Sequence, residues 1–166
     1  MNAEPILYTL ARLLHEHGLE AVLIGNSAAA LQGAPVTTID FDFLFRKTPR
    51  NLGKVRAIAK SLGATLMTPF YPASELIRIE RADNSLQVDF MSTIHGVTSF
   101  ASLRSRAQRM DLGGHPLLVA DLRDIIKSKR KADRPRDRAV LEILEKTLDE
   151  KKADAEGKAG STQAGK

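Results

Sequence analysis

The 166-residue sequence contains no cysteine and no tryptophan, and aromatic residues make up only 5% of it. Without cysteine, the chain cannot form a disulfide framework, a thiolate zinc site or a cysteine nucleophile. The shortage of aromatic residues argues against a base-stacking platform for single-stranded nucleic acid. No apolar run reaches the roughly 18–20 residues that cross a bilayer, and the first residues lack the pattern of a secretory signal. These absences predict a cytoplasmic protein without a membrane span.

Positive charge is concentrated in the second half of the chain. The net charge is +5, yet the segment from Arg104 to Arg138 alone holds eleven lysines or arginines against five aspartates. Its surplus of six exceeds that of the whole protein, so the remainder is slightly acidic. Such asymmetry indicates a polyanionic partner, either nucleic acid or the triphosphate of a nucleotide. A solvated, charge-rich helix face is an equally good interpretation of the charge alone.

The length and the composition predict one globular domain followed by a short tail. Hydrophobic residues make up 43% and charged residues 27% of the chain, which is a normal mixture for a domain of this length. We assign this domain to residues 1–150. Residues 151–166 have no large apolar side chain and are rich in Ala, Gly and Lys, so we predict that they form a disordered tail.

Hydrophobic periodicity predicts an alternation of helices and strands. Helices are predicted over 6–14, 27–31, 52–62, 99–106, 121–131 and 137–151. Strands are predicted over 21–24, 38–45, 75–81 and 86–92, with a hairpin over 108–120 around two adjacent glycines. This order is typical of an α/β (α+β) fold with a mixed sheet and flanking helices.

In the predicted strand over 38–45, apolar residues at every second position alternate with the acidic residues Asp40 and Asp42. Its predicted core face carries Ile39, Phe41, Phe43 and Phe45. Asp40 and Asp42 lie on the opposite face, where two like charges repel unless a cation lies between them. Carboxylate oxygens in this arrangement suit Mg²⁺.

A third carboxylate, Asp89, has the same alternation in another predicted strand. Three carboxylates on neighbouring strands would hold two divalent ions, Mg²⁺ or Mn²⁺, about 3.5–4 Å apart, the spacing used for displacement at phosphorus. For each aspartate alone, an ordinary solvated strand face is the competing interpretation.

A glycine turn lies where the predicted strand over 21–24 meets the next helix. Gly25 permits a close approach by a phosphate, and the helix N-terminus after it favours negative charge. Ser27 would either bind that phosphate or cap the helix, and capping is the commoner use of such a serine.

Together these motifs resemble the signature of the DNA polymerase β-like nucleotidyltransferase superfamily. Gly25-Asn26 is followed, after thirteen residues, by Asp40-Phe41-Asp42-Phe43. Thr38, two residues before the first carboxylate, is also typical of that signature. The sequence departs from it at Asn26, where Gly or Ser is usual.

The helical end of the chain is similar to that of small bacterial members of the superfamily, including toxin nucleotidyltransferases of the abortive-infection type. The similarity rests on the segment Asp124 to Lys129 and on Arg134-Pro135-Arg136-Asp137. The whole resemblance covers about residues 21–144. It implies the polymerase β-like fold, a toxin–antitoxin or phage-defence context, and a cognate toxin or antitoxin partner.

The resemblance also implies a role for each candidate residue. The implied nucleotide-binding set, for ATP or another NTP, is Gly25, Asn26, Ser27, Thr38, Lys129 and Arg134. The implied metal ligands are Asp40, Asp42 and Asp89, which form the catalytic set together with Lys129. Asp89 would bind the metal that activates the acceptor hydroxyl. For Lys129 a solvated helix face remains the competing interpretation, and for Arg134 an ion pair with Asp133 or Asp137.

We therefore expect a metal-dependent nucleotidyltransferase that transfers an NMP from an NTP to a hydroxyl of RNA such as tRNA, a protein or a small molecule. The departure at Asn26 supports an alternative, a catalytically weak regulatory module of the same fold that binds nucleotide or RNA. A third interpretation is a basic RNA-binding domain whose carboxylates are incidental.

Overall fold

The computed structural model describes residues 5–68 and 75–163. The elements in chain order are α1 (Ile6–Glu16), β1 (Ala21–Ile24), α2 (Gly25–Leu31), β2 (Phe41–Phe45), α3 (Pro49–Ser61), β3 (Thr65–Met67), β4 (Ile77–Glu80), β5 (Gln87–Met91), α4 (Phe100–Arg106), β6 (Gln108–Leu112), β7 (His115–Val119), α5 (Leu122–Ala132) and α6 (Pro135–Gln163). Among these residues, every helix is too short or too polar to span a lipid bilayer.

The described strands form one seven-stranded sheet in the order β3-β4-β5-β2-β1-β7-β6. The pairs β2–β5 and β1–β7 are parallel, and the other four neighbouring pairs are antiparallel. The predicted α/β (α+β) fold with a mixed sheet is therefore confirmed. Because β2 and β5 run in the same direction, the predicted aspartate-bearing strands are direct neighbours.

The sheet buries a phenylalanine cluster that fixes β2 against β5. Phe43 stacks on Phe90 with ring centroids 5.4 Å apart, and Phe45 meets the same ring edge-on at 5.6 Å. All three side chains are fully buried. Burial of such rings contributes a large share of core stability, so the two strands form a rigid platform for side chains on the opposite face.

The predicted strand over 38–45 is shorter in the structure, because β2 begins only at Phe41. Ile39, predicted to belong to the core face, is 82% exposed. The reason lies in the neighbouring strand, since β1 pairs with β2 only as far as Ile24 opposite Asp42 and the chain then turns into α2. Residues 38–40 thus have no β1 partner with which to continue the antiparallel ladder.

The last helix also differs from the prediction, since α6 continues to Gln163 instead of giving way at residue 151 to a disordered tail. Lys151 donates a hydrogen bond to Gln32 Oε1 at 3.1 Å, which ties the predicted start of the tail to α2. Beyond it, residues 152–160 are exposed and contain the good helix formers Ala, Lys and Glu together with two glycines, which are poor ones. The helix thus continues past its buried part.

The junction between α5 and α6 brings the basic end of the chain to the sheet. Asp121 caps α5 by accepting a hydrogen bond from the Arg123 amide at 2.8 Å. After α5, Asp133 adopts a left-handed conformation with φ of +50°, and Pro135 then opens α6. A left-handed residue followed by a proline makes a sharp turn, so α6 folds back against α5.

Candidate active site

Asp42 and Asp89 are direct register partners on the parallel strands β2 and β5. Register partners project from the same face of a sheet, so the two carboxylates lie side by side. Both line a cavity of about 740 Å³, and Asp40 lines it too. The sequence-based expectation that Asp89 lies on the same side as the other two aspartates is met. We call these three carboxylates the acidic edge.

Asp40 reaches this cavity from outside the sheet, one residue before β2 begins. Thr38 fixes the approach, because its hydroxyl donates a hydrogen bond to the Asp40 carbonyl oxygen at 2.8 Å. Thr38 also lines the cavity. A loop hydrogen bond therefore positions the carboxylate that the sequence had placed within the strand.

Negative charge on the acidic edge is only partly compensated. Burial, and then the charges of Asp89 and Asp40, raise the pKa of Asp42 from 3.8 to about 6, while Lys129 and Arg136 oppose the shift. The two neighbouring carboxylates contribute a negative potential at Asp42 that a cation would offset. A bound cation would therefore stabilise the ionised form of Asp42.

Gly25 is the residue that lets the chain pass close to the acidic edge. It has a φ of +71°, and a Cβ built at this position would lie 2.9 Å from Asp42 Oδ2. Asn26 has no positive φ, because the described non-glycine residues with that conformation are only Asn84 and Asp133. The departure from the superfamily signature at Asn26 therefore adds no backbone strain to the turn.

Asn26 carries a buried oxygen, Oδ1, that has no hydrogen-bond partner within the described part of the chain. The residue lines the cavity beside the acidic edge. A buried amide oxygen without a partner costs free energy, and a bound ligand would relieve this cost. Ser27 differs, since it is only 3% exposed, does not line the cavity, and donates its hydroxyl hydrogen to the Ile24 carbonyl at 3.3 Å. The prediction that the Ser27 side chain binds a phosphate is thus not met.

Three cations from the end of α5 and the start of α6 line the same cavity as the acidic edge. Lys129, Arg134 and Arg136 all line the cavity, and we call them the basic wall. Burial lowers the pKa of the Lys129 ammonium; Asp137 opposes this shift, and the two arginines add to it. The structure thus places the predicted Lys129 and Arg134 at one site with the predicted aspartates.

Asp137 forms ion pairs with two of these three cations. Arg134 donates a hydrogen bond from Nε to Asp137 Oδ2 at 2.6 Å, and Lys129 Nζ lies 3.5 Å from Asp137 Oδ1. Burial would raise the pKa of Asp137, but Arg134 and Lys129 more than compensate and lower it. Arg136 is exposed and makes no hydrogen bond or ion pair with any described residue. It is therefore the cation of the basic wall with most capacity for an anionic ligand.

Sequence reasoning missed the roles of Arg136 and Arg78. Arg136 belongs to the basic motif around Pro135. The ion pair of Arg134 with Asp137, the competing interpretation for that arginine, is confirmed and leaves Arg136 as the arginine of the motif without such a partner among the described residues. Arg78 lies on β4 directly opposite Asp89. Pairing the two predicted strands across their turn would have indicated this neighbour from the sequence. The Arg78 side chain lines the cavity and donates two hydrogen bonds to Asp89.

The donor set of the acidic edge fits a divalent cation with oxygen ligands. Asp40, Asp42 and Asp89 supply carboxylate oxygens at one cavity, and Asn26 Oδ1 offers an unpartnered oxygen beside them. Asp40 and Asp42 would hold such an ion. Within the described ranges, however, no three histidine or carboxylate side chains stand close enough to share one metal. The prediction of two ions with Asp89 as a ligand stays a prediction.

Comparison with known proteins adds a family and a fold. The model of the family described as "Nucleotidyl transferase of unknown function (DUF2204)" matches residues 3–159. No curated protein sequence matches the chain.

Three solved structures are similar to this chain at low sequence identity. A candidate nucleotidyltransferase from Thermotoga maritima has a TM-score of 0.62 at 19% identity, over 87% of this chain and 91% of its own. ANT(2″)-Ia in complex with adenylyl-2″-tobramycin has a TM-score of 0.60 at 16% identity, over 96% and 99%. The lincomycin-bound lincosamide antibiotic adenylyltransferase LnuA has 0.61 at 10%, over 87% and 98%. These likenesses establish a shared fold.

Proposed function

The chain belongs to the DUF2204 family of nucleotidyl transferases, and on that premise we propose that it transfers an NMP from an NTP to a hydroxyl acceptor with the help of a divalent cation. The observation that carries this proposal is that the acidic edge and the basic wall line one cavity. Carboxylates that hold a cation and cations that hold phosphates are the two components that phosphoryl transfer requires.

The triphosphate would lie between the two groups, with its charge taken up by Lys129 and Arg136. Arg134 contributes less, because Asp137 already accepts its hydrogen bonds. Glycine at position 25 lets the backbone pass close to Asp42, where a Cβ would lie 2.9 Å from Asp42 Oδ2. Asn26 Oδ1 is a buried acceptor for a donor group on the ligand or for the cation.

Asp40 and Asp42 would hold Mg²⁺, or Mn²⁺ in its place, and the ion would supply charge stabilisation for the phosphates. The acceptor oxygen forms a bond to the α-phosphorus while the bond to the pyrophosphate oxygen breaks. Asp89, at the acidic edge, would take the proton of the acceptor hydroxyl. Pyrophosphate leaves with the electron pair of the broken bond, so atoms and charge balance.

For the acceptor, a small molecule has the support of two similar structures, one with adenylyl-2″-tobramycin and one with lincomycin. RNA such as tRNA is supported instead by the basic segment from Arg104 to Arg138. A protein acceptor, a cognate toxin or antitoxin partner and a cytoplasmic location rest on the sequence resemblance and composition, and stay predictions.

The test is transfer of label from each α-³²P-labelled NTP with Mg²⁺ or Mn²⁺, offered to total tRNA, a cell lysate, tobramycin and lincomycin. We expect transfer that disappears in Asp40→Asn and in Asp42→Asn, and that persists in Asp149→Asn, which alters an exposed carboxylate on α6. Transfer that survives in both cavity variants would exclude the proposed site. RNA binding without transfer, unchanged in both variants and steeply salt-dependent, would support the RNA-binding interpretation.

A further inference from the structure

The third carboxylate of the acidic edge is held differently from the other two. Arg78 Nε donates to Asp89 Oδ1 at 2.8 Å, and Arg78 Nη2 donates to Asp89 Oδ2 at 3.0 Å. Gln87 Nε2 donates to the second oxygen at 3.3 Å. Both oxygens of Asp89 are therefore occupied by a planar fork that fixes the orientation of the carboxylate.

This ion pair is built into the sheet. Arg78 is the register partner of Asp89, which is in turn the register partner of Asp42, so the three side chains form one row across β4, β5 and β2. On β4 the alternate residues Ile77 and Ile79 are buried, which leaves Arg78 on the cavity face. The pairing of the three strands thus places the Arg78 guanidinium at one end of a row that continues with the carboxylates of Asp89 and Asp42.

The pair is too buried to be an ordinary surface salt bridge. The Asp89 side chain is 8% exposed and that of Arg78 is 28% exposed. Removing charge from water is costly, and a pair of hydrophobic residues would fill the same place at no such cost. The presence of a charged pair at the cavity therefore indicates that Arg78 and Asp89 have a role in the function of the site.

Arg78 and a divalent cation would compete for the same oxygens. Without Arg78, the neighbouring carboxylates of Asp42 and Asp89 would share a cation readily, because like charges side by side favour one between them. Among the described residues, three potential metal ligands do not come together. Arg78 instead binds both oxygens of Asp89, the oxygens that a cation beside Asp42 would otherwise take.

Building on the proposed function, we propose that Arg78 is a positioning residue that holds Asp89 toward the acceptor and keeps it out of the cation site of Asp40 and Asp42. Arg78 contacts Asp89 and acts through it. The cation site then consists of two carboxylates, and the third remains free of metal to receive a proton.

The test is Mn²⁺ binding to the nucleotide-free protein, measured from the free-ion signal in electron paramagnetic resonance. We expect Arg78→Met to bind Mn²⁺ about tenfold more tightly, the scale of coupling between residues in contact, because the released Asp89 joins Asp42. The gain should vanish when Asp89→Asn is combined with Arg78→Met. Arg109→Met, which removes an exposed strand arginine on β6, should bind like the parent protein.

A simple charge effect gives a different result, since removal of one positive charge would tighten Mn²⁺ binding in the Asp89→Asn background as well. That outcome, or unchanged binding in Arg78→Met, would overturn the proposal. If Arg78→Met does not fold, Arg78→Lys serves in its place. It keeps the charge but loses the fork, and a gain in Mn²⁺ affinity that depends on Asp89 is again the expected result.

A kinetic measurement separates this proposal from the proposed function. Loss of Arg78 should lower kcat about 10- to 100-fold, as for other residues that orient a catalytic group, while the KM for NTP changes little. If the parent protein transfers no label, the proposed function fails, yet the Mn²⁺ measurements with Asp89→Asn still decide the role of Arg78.

Discussion

The acidic edge and the basic wall face the same cavity but balance their charges in opposite ways. At the acidic edge, neighbouring aspartates raise the pKa of Asp42 to about 6, after burial as the largest cause. At the basic wall, Asp137 pairs with both Lys129 and Arg134, which leaves Arg136 without such a partner. Arg78 compensates one of the three carboxylates and Asp137 one of the three cations, so each side keeps uncompensated charge before any ligand binds. The two sides differ in their carboxyl groups, because the pKa is raised for Asp42 and lowered for Asp137.

The largest effect is expected for Lys129→Met, which removes the buried cation of the basic wall. Transfer should fall about 10²- to 10³-fold, as for loss of a preorganised group that stabilises transition-state charge. The fold should survive, because Arg134 still pairs with Asp137. The control is Lys127→Met, an exposed lysine on the same helix. Equal transfer rates in the two variants would remove Lys129 from the mechanism.

A stability measurement tests whether the acidic edge stores unfavourable charge. Since the pKa of Asp42 is raised from 3.8 to about 6, the folded state binds this proton more tightly than the unfolded chain does. Folding stability should therefore fall as the pH rises from about 4 to 6 and stay reduced above. In a chelator at pH 8, Asp42→Asn should raise the free energy of unfolding by up to about 3 kcal/mol.

This gain in the free energy of unfolding should vanish below about pH 4, where the protonated Asp42 carboxyl is as neutral as the asparagine that replaces it. Chemical denaturation at several pH values measures it, and Asp149→Asn, at an exposed site on α6, is the control. A less stable Asp42→Asn protein at pH 8 would contradict the contrast between the two sides.

Asp137 should behave in the opposite sense, because the basic wall lowers its pKa. Its contribution to stability is present above its ordinary pKa and is lost as the pH falls through the lowered value. Asp137→Asn should thus cost about 2 kcal/mol at pH 7, and the difference should shrink in acid. Asp133→Asn, which alters an exposed carboxylate paired with Arg138, should cost far less. Equal losses in the two variants would show that Asp137 does not organise the wall.

The smallest effect separates the two arginines of the basic wall. Arg136→Met should raise the Kd for NTP about tenfold, which corresponds to one lost charge-assisted hydrogen bond. Arg134→Met should change the Kd much less but lower the thermal stability, because Asp137 loses a partner. Calorimetric titration and thermal unfolding measure both. The reverse order of nucleotide affinities would show that the ion pair with Asp137 opens when the ligand binds.

The sequence predicted the acidic edge better than the basic wall, for a physical reason. Strict alternation over residues 41–45 and 86–91 put Asp42 and Asp89 opposite core residues, and the sheet obeys the same two-residue period. Alternation failed at Ile39 because a strand continues only where a neighbouring strand pairs with it.

Some charge pairs are local and follow from a sequence pattern, whereas others join residues that only the fold brings together. Arg134 and Asp137 are three positions apart, and their ion pair was the competing interpretation for Arg134. The pairing of Asp137 with Lys129 on the preceding helix depends on the fold. Gln32 is a further example, because its contact with Lys151 joins residues 119 positions apart. The end of α6 was likewise not predicted, because residues 152–160 are exposed and carry no apolar pattern that would mark a helix.

The most direct test is a crystal structure with Mn²⁺ and a non-hydrolysable NTP, in which anomalous scattering locates the metal. We predict Mn²⁺ at about 2.2 Å from oxygens of both Asp40 and Asp42, with phosphate oxygens bound by Lys129 and Arg136. Mn²⁺ located away from these two carboxylates, or a triphosphate that does not touch the basic wall, would contradict the proposed site.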